Sequence, residues 1–115
     1  MTGQTYYGGR LFRLVSVTGQ SDTSSETIFQ YSQKGNVVTA EYSGGDIHFG
    51  HLIGIINTDG NFTARYQHVT DANKLMTGIC ETRHEMLEGN KMRLHEKWQW
   101  TSGDKSSGTS VLEEI

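Results

Sequence analysis

Residues 93–107 read RLHEKWQWTSGDKSS, and with Met92 in front the first part alternates strictly. Met92, Leu94, Glu96, Trp98 and Trp100 share one parity, while Arg93, His95, Lys97 and Gln99 share the other. Alternate side chains of a strand point to the same face, so this pattern predicts a strand with one wetted face and one packed face. The packed face carries a carboxylate in line with two tryptophans. The next ten residues, TSGDKSSGTS, are rich in Ser, Thr and Gly and read as a loop.

Working outward, turn signals recur at short intervals. They are Lys34-Gly35-Asn36, Ser43-Gly44-Gly45-Asp46, Asp59-Gly60-Asn61 and Gly89-Asn90 within EGNK. Gly and Asn accept the positive φ that tight hairpin turns require. Between these turns lie eight candidate strands, at 9–18, 26–34, 36–43, 46–57, 61–69, 75–84, 91–101 and 108–115. An antiparallel meander of eight strands can close on itself and so remove its exposed edges. The fold predicted is therefore all-β, an eight-stranded antiparallel up-and-down β-barrel, with residues 1–115 as a single domain. Two Ser/Thr-rich links, TGQSDTSSET and TSGDKSSGTS, each follow an odd-numbered strand and fall at the same end as candidate rim loops.

Strand 61–69 alternates as cleanly as 91–101, with Phe62, Ala64, Tyr66 and His68 on one face and Thr63, Arg65, Gln67 and Val69 on the other. Strand 46–57 is apolar on both faces: Ile47, Phe49, Ile53 and Ile55 against Leu52 and Ile56, with Gly50 and Gly54 marking bends or close packing. An outer face of that kind suits coverage by a second subunit, so a homodimer is a candidate assembly. The segment DANKLMTGICETRHEML has helical content in part, but Thr77, Ile79, Cys80 and Thr82 favour strand.

Composition agrees with short strands and glycine turns: 115 residues, 14 Gly, no Pro and about a third apolar. The net charge of −3 and the absence of any adjacent Lys/Arg pair leave no electrostatic footprint for a nucleic-acid backbone, so no such partner is expected. Cys80 is the single cysteine and precludes an intramolecular disulfide. The opening MTGQTYYGGR lacks a signal-peptide layout and no window approaches a membrane span, so the expectation is a cytoplasmic protein with no membrane partner. The Asn61-Phe62-Thr63 sequon sits straight after a tight turn and reads as chance.

If the face of Glu96 is inward, its charge demands a partner or a proton. Tyr42, Tyr66, His68 and Arg13 are candidates to answer it from neighbouring strands. Trp98 and Trp100 with Tyr66, Tyr42 and Phe62 suit either a pocket lining or plain core. His48 and His51 are three apart, which aims them at opposite faces of a strand; the nearest approach to a metal pair is His51 with His68 across strands, and no metal is expected. Cys80 in a strand reads as a small buried hydrophobe rather than a nucleophile. No G-x-S-x-G elbow and no glycine-rich phosphate loop occurs, and no cofactor is expected.

The segments TSSETIFQYSQKGN, YSGGDIHFGHLIG, ARYQHV, LMTGIC and MRLHEKWQWTSGD, with SVLEE near the end, together resemble a family of short bacterial proteins over nearly the whole chain. That family is similar to the lipocalin and avidin (calycin-type) barrels in strand count and turns, which implies an interior that holds one small ligand. The tryptophan strand running into Thr101-Ser102-Gly103 is similar to the avidin pattern at a different spacing, which implies biotin as one candidate. Some members carry an N-acetylglutamate synthase label; an enzyme of that name is an α/β protein with a Q/R-x-x-G-x-G/A segment opening a helix, and the sequence contains neither.

Three readings stand at this level. The first is a binding barrel in which Tyr42, Tyr66, Trp98 and Trp100 line a cavity and Glu96 with His68 or His51 fixes a polar group. The second is a small isomerase or hydrolase using Glu96 and His68 as acid and base. The third is a structural or oligomeric module with a filled core.

Overall fold

A computed structural model describes residues 6–115. Eight strands follow one another around a closed antiparallel barrel: β1 (Leu11–Thr18), β2 (Ile28–Lys34), β3 (Val37–Gly44), β4 (Ile47–Ile56), β5 (Phe62–Thr70), β6 (Leu75–Met86), β7 (Met92–Trp100) and β8 (Ser107–Glu114). All eight expected strands are present, and the ambiguous segment 71–87 forms β6 and its flanks with no α-helix. The barrel closes where β1 pairs with β8, from Phe12 opposite Glu114 to Thr18 opposite Thr109, so no strand keeps an unpaired edge. Among the described residues the sole helical element is a 3-10 turn at Glu88–Asn90, and no helix is long and apolar enough to cross a membrane.

The inner wall follows the period-two reading except where bulges reset it. Irregularities fall between Leu14 and Ser16, between Tyr42 and Gly44, and between Ile47 and Phe49. A bulge places two residues opposite one and so reverses which parity faces inward. On β4 this puts Ile47 inside while Phe49, Ile53 and Ile55 point out and are about half exposed (49%, 51% and 51%). Grouping Ile47 with those three is thereby corrected. His51 has the outward parity and is only partly buried, so it does not join the interior. Arg13 is likewise exposed on the outside of β1, between the inward Phe12 and Leu14.

The two ends differ. At the end where odd strands begin, Tyr7 enters the barrel and is completely buried. Its hydroxyl donates to the Gly60 carbonyl at 2.5 Å, its backbone N–H donates to Gln33 Oε1 at 2.7 Å, and its ring meets Phe62 edge-on at 5.0 Å. Phe12, Tyr31, Phe62, Met92 and Leu94 pack around it with 1% exposure or less. Arg10 seals the rim, donating to the Asn90 carbonyl and pairing with Glu114 at 2.7 Å.

At the other end the link between β1 and β2, residues 19–27, folds over the mouth. Trp100 Nε1–H donates to the Gln20 carbonyl at 2.8 Å, and Thr27 Oγ1–H donates to the Gly44 carbonyl at 3.0 Å. Gly44, with φ of 113°, lies so close to the Glu26 carbonyl that a side chain there would overlap it, so the β3–β4 turn and the base of the loop are packed as one piece.

Candidate functional site

Three large aromatics of the inner wall each face a glycine on the adjacent strand. Tyr42 lies opposite Gly50, Tyr66 opposite Gly78, and Trp98 opposite Gly108. A Cβ at any of these glycines would collide with the facing ring. The missing side chain lets each ring lie down against the neighbouring backbone rather than stand across the barrel. Gly50 thus marks close packing, as the sequence suggested, and Gly78 and Gly108 repeat the device.

The flattened rings, together with Trp100 and His68, form a continuous aromatic wall. Tyr66 and Trp100 meet at 5.8 Å and 67°, His68 and Trp100 at 5.6 Å and 77°, and Trp98 and Trp100 at 5.9 Å and 59°. Phe29 stacks on Tyr42 at 4.8 Å. Offset and edge contacts of this kind hold each ring in one orientation.

These rings leave a cavity of about 50 Å³ beneath the 19–27 loop, with Ser21 and Thr23 of the loop forming part of its roof and Glu96, Cys80 and Ser110 part of its floor and sides. A dry cavity of about 150 Å³ takes one benzene ring, so on that scale this space holds about two non-hydrogen atoms. A larger hollow, about 860 Å³, lies on the outer wall between Ile53, Ile55 and Ile79 and the charged Arg65, Glu81 and Lys97. It is an open groove on the outer surface.

The polar groups of the inner cavity fall into two sets. At the mouth, the buried His68 bridges Tyr42 and the loop: Nε2 lies 2.9 Å from Asp22 Oδ2, and Nδ1 lies 3.0 Å from Tyr42 Oη. A carboxylate only accepts, so Nε2 carries a hydrogen and donates it to Asp22. This contact ties the loop to β5. Deeper in, Glu96 sits between Thr82 and Ser110 of the adjoining strands and hydrogen-bonds the Thr82 side chain. No ion pair reaches it among the described residues. Burial without a cation disfavours the charged form and pushes its pKa up to about 7. The hydroxyl of Tyr31 is buried without a hydrogen-bond partner and lies within electrostatic reach of Glu96.

Of the residues predicted for the site, Tyr42, Tyr66, His68, Glu96, Trp98 and Trp100 all line this cavity. His51 does not, for the reason given above. His68 is not the partner of Glu96, because both of its nitrogens are engaged elsewhere. Two further histidines serve the shell: His95 Nε2 contacts Glu85 at 2.8 Å and His84 Nδ1 contacts Asn61 at 2.8 Å. Cys80 is buried, and burial pushes its thiol well above the usual range, which suits packing and opposes nucleophilic use.

A family model described as "Avidin-like protein" matches residues 5–115. The chain belongs to the avidin-like protein family. No curated protein and no solved structure matches it. The eight-stranded closed barrel agrees with that membership.

Within this avidin-like barrel, sequence reasoning missed Asp22, Tyr31 and Ser110. Asp22 lies in a link recognisable as a rim loop, but nothing local says that it reaches back to His68, 46 residues away. Tyr31 follows Phe29 with inward parity and could have been placed by alternation. Ser110 is the acceptor for Trp98 Nε1–H at 2.9 Å, a role visible only once β7 and β8 are in register.

Proposed function

We propose that this avidin-like protein is a non-enzymatic binding barrel that holds a small molecule under the 19–27 loop. The observation that carries this reading is the cavity itself: an aromatic-walled space with an uncompensated carboxyl group, in a barrel whose other half is filled. Ligand sites are mostly apolar with a few placed polar groups, and this interior has that character. The loop is held by the Asp22–His68 and Gln20–Trp100 contacts, both at the mouth, so guests beyond a few atoms enter by displacing it. An acid/base enzyme built on Glu96 and His68 has less support, because His68 is bound to Tyr42 and Asp22 and no contact links it to Glu96.

The exposed Phe49, Ile53 and Ile55 on the outside of β4 support a second copy of the chain as partner. Sedimentation of the wild type against Ile53→Lys tests this; a dimer converted to monomer is the expected result.

The binding reading is tested by native mass spectrometry of the purified protein, followed by Trp fluorescence titration with small amines, small acids, biotin and a fatty acid. A retained mass or a saturable response is expected, because Trp98 and Trp100 both form the cavity wall. A silent panel with no retained mass would return the weight to a structural module.

A further inference from the structure

The polar atoms around the cavity are unequally committed. Its fixed N–H donors are spent within the protein: Trp98 Nε1–H on Ser110, Trp100 Nε1–H on the Gln20 carbonyl, and His68 Nε2–H on Asp22. No lysine or arginine lines the space. What remains toward the interior is the Glu96 carboxyl, hydroxyls that can donate or accept, and the rings of Tyr66, Trp98 and Trp100.

An anionic guest would therefore meet Glu96 with no cation to offset the repulsion. A neutral guest that needs donors would find the indole and imidazole N–H groups already engaged. A protonated amine meets the reverse case. Its N–H groups can reach a carboxylate that has no ion-pair partner, and its charge and alkyl hydrogens can rest against aromatic faces, where cations are attracted to the ring quadrupole.

Resting on the binding-barrel reading, we infer that the interior selects a small organic ammonium ion, with Glu96 as its counter-ion and Tyr66, Trp98 and Trp100 as its aromatic walls. The cavity as closed takes about two non-hydrogen atoms, enough for an ammonium head group, so a longer amine seats its alkyl chain by displacing the 19–27 loop. Other titratable groups that face Glu96 from the surrounding strands are Tyr31 on β2, Tyr42 on β3, Tyr66 on β5 and Cys80 on β6; burial raises all four, so each is neutral near pH 8 and Glu96 is the one anion they surround. Asp22 stands apart at the mouth, engaged by His68.

The test compares three probes of equal heavy-atom count, butylammonium, 1-butanol and propionate, by Trp fluorescence and ligand-observed NMR at pH 8. Butylammonium should bind at least tenfold more tightly than the other two. Glu96→Gln should abolish the amine's advantage, bringing the ratio of butylammonium to 1-butanol affinity to about one, whatever the variant does to the alcohol itself. Equal or tighter binding of 1-butanol or propionate would overturn the ammonium inference and leave the binding barrel standing. Retention of amine selectivity in Glu96→Gln would overturn the counter-ion role. Silence from all three probes, together with no retained mass, would overturn both readings.

Discussion

The two halves of this barrel are made from the same strands and obey the same alternation, yet one is solid and the other is hollow. In the half around Tyr7, the inward positions hold Phe12, Tyr31, Val38, Phe62, Met92 and Leu94, each exposed by 1% or less. In the half beneath the 19–27 loop, the inward positions pair Tyr42 with Gly50, Tyr66 with Gly78 and Trp98 with Gly108, and a cavity remains. The difference is one of distribution. Large residues facing medium ones interlock across the axis, whereas large residues facing glycines fold against the wall and leave the axis open. Hollowing a core forgoes dispersion contacts, and here the forfeited packing coincides with the polar groups Glu96, His68 and Ser110.

Changes at the solid end should weaken folding most. Phe62→Ala removes a ring packed against Tyr7 and should destabilise by about 3–5 kcal/mol in chemical denaturation, with ligand affinity unchanged in the fraction that remains folded. Loss of binding without loss of stability would break the division between the halves.

The next effect belongs to Glu96 and has a definite sign. Its folded pKa of about 7 lies above the ordinary carboxylate value of 4.5, so the folded state binds more protons than the unfolded state between those values. Stability is then greatest below pH 4.5 as far as this group is concerned, declines as pH rises through 7, and is level beyond it. The decline should reach about 3 kcal/mol at most. Glu96→Gln should abolish that slope in a series of denaturation curves, and a slope retained in the variant would assign it to another group.

Gly78→Ala should cost about 1–3 kcal/mol by driving a methyl group into the Tyr66 ring. The displaced ring has only the cavity to move into, so the variant should also lose ligand binding. The smallest effect is expected at the mouth. Asp22→Ala removes a contact whose carboxylate is 31% exposed, and should change stability by less than about 1 kcal/mol. Amide exchange across 19–27 should nevertheless quicken, because that loop loses one of its ties to the barrel; unchanged exchange would show that Trp100 and Thr27 hold it alone.

Much of the architecture was legible because strand period and turn chemistry are local. The alternation in 92–100 and 62–69 survives intact in β7 and β5, and the turns at Gly35, Gly60 and Gly89 separate the strands they were expected to separate. Six of the seven candidate residues, all but His51, face the cavity for the same reason. Arg13 was misplaced on β1, whose inward residues are Phe12 and Leu14. His51 and the Ile47 grouping went astray at the β4 bulge, which reverses parity without leaving a signature in residue type.

Sequence alone determined the strand count, the turns and the presence of an acid on an apolar face, since each depends on neighbours two to ten positions away. Only the tertiary structure decided that the acid has no cation, that His68 spends both nitrogens on Tyr42 and Asp22, and that one half of the barrel is hollow. Those outcomes depend on register across strands and on which residue faces a glycine. Partners of that kind are set by the closing of the barrel, which brings together residues as far apart as Asp22 and His68.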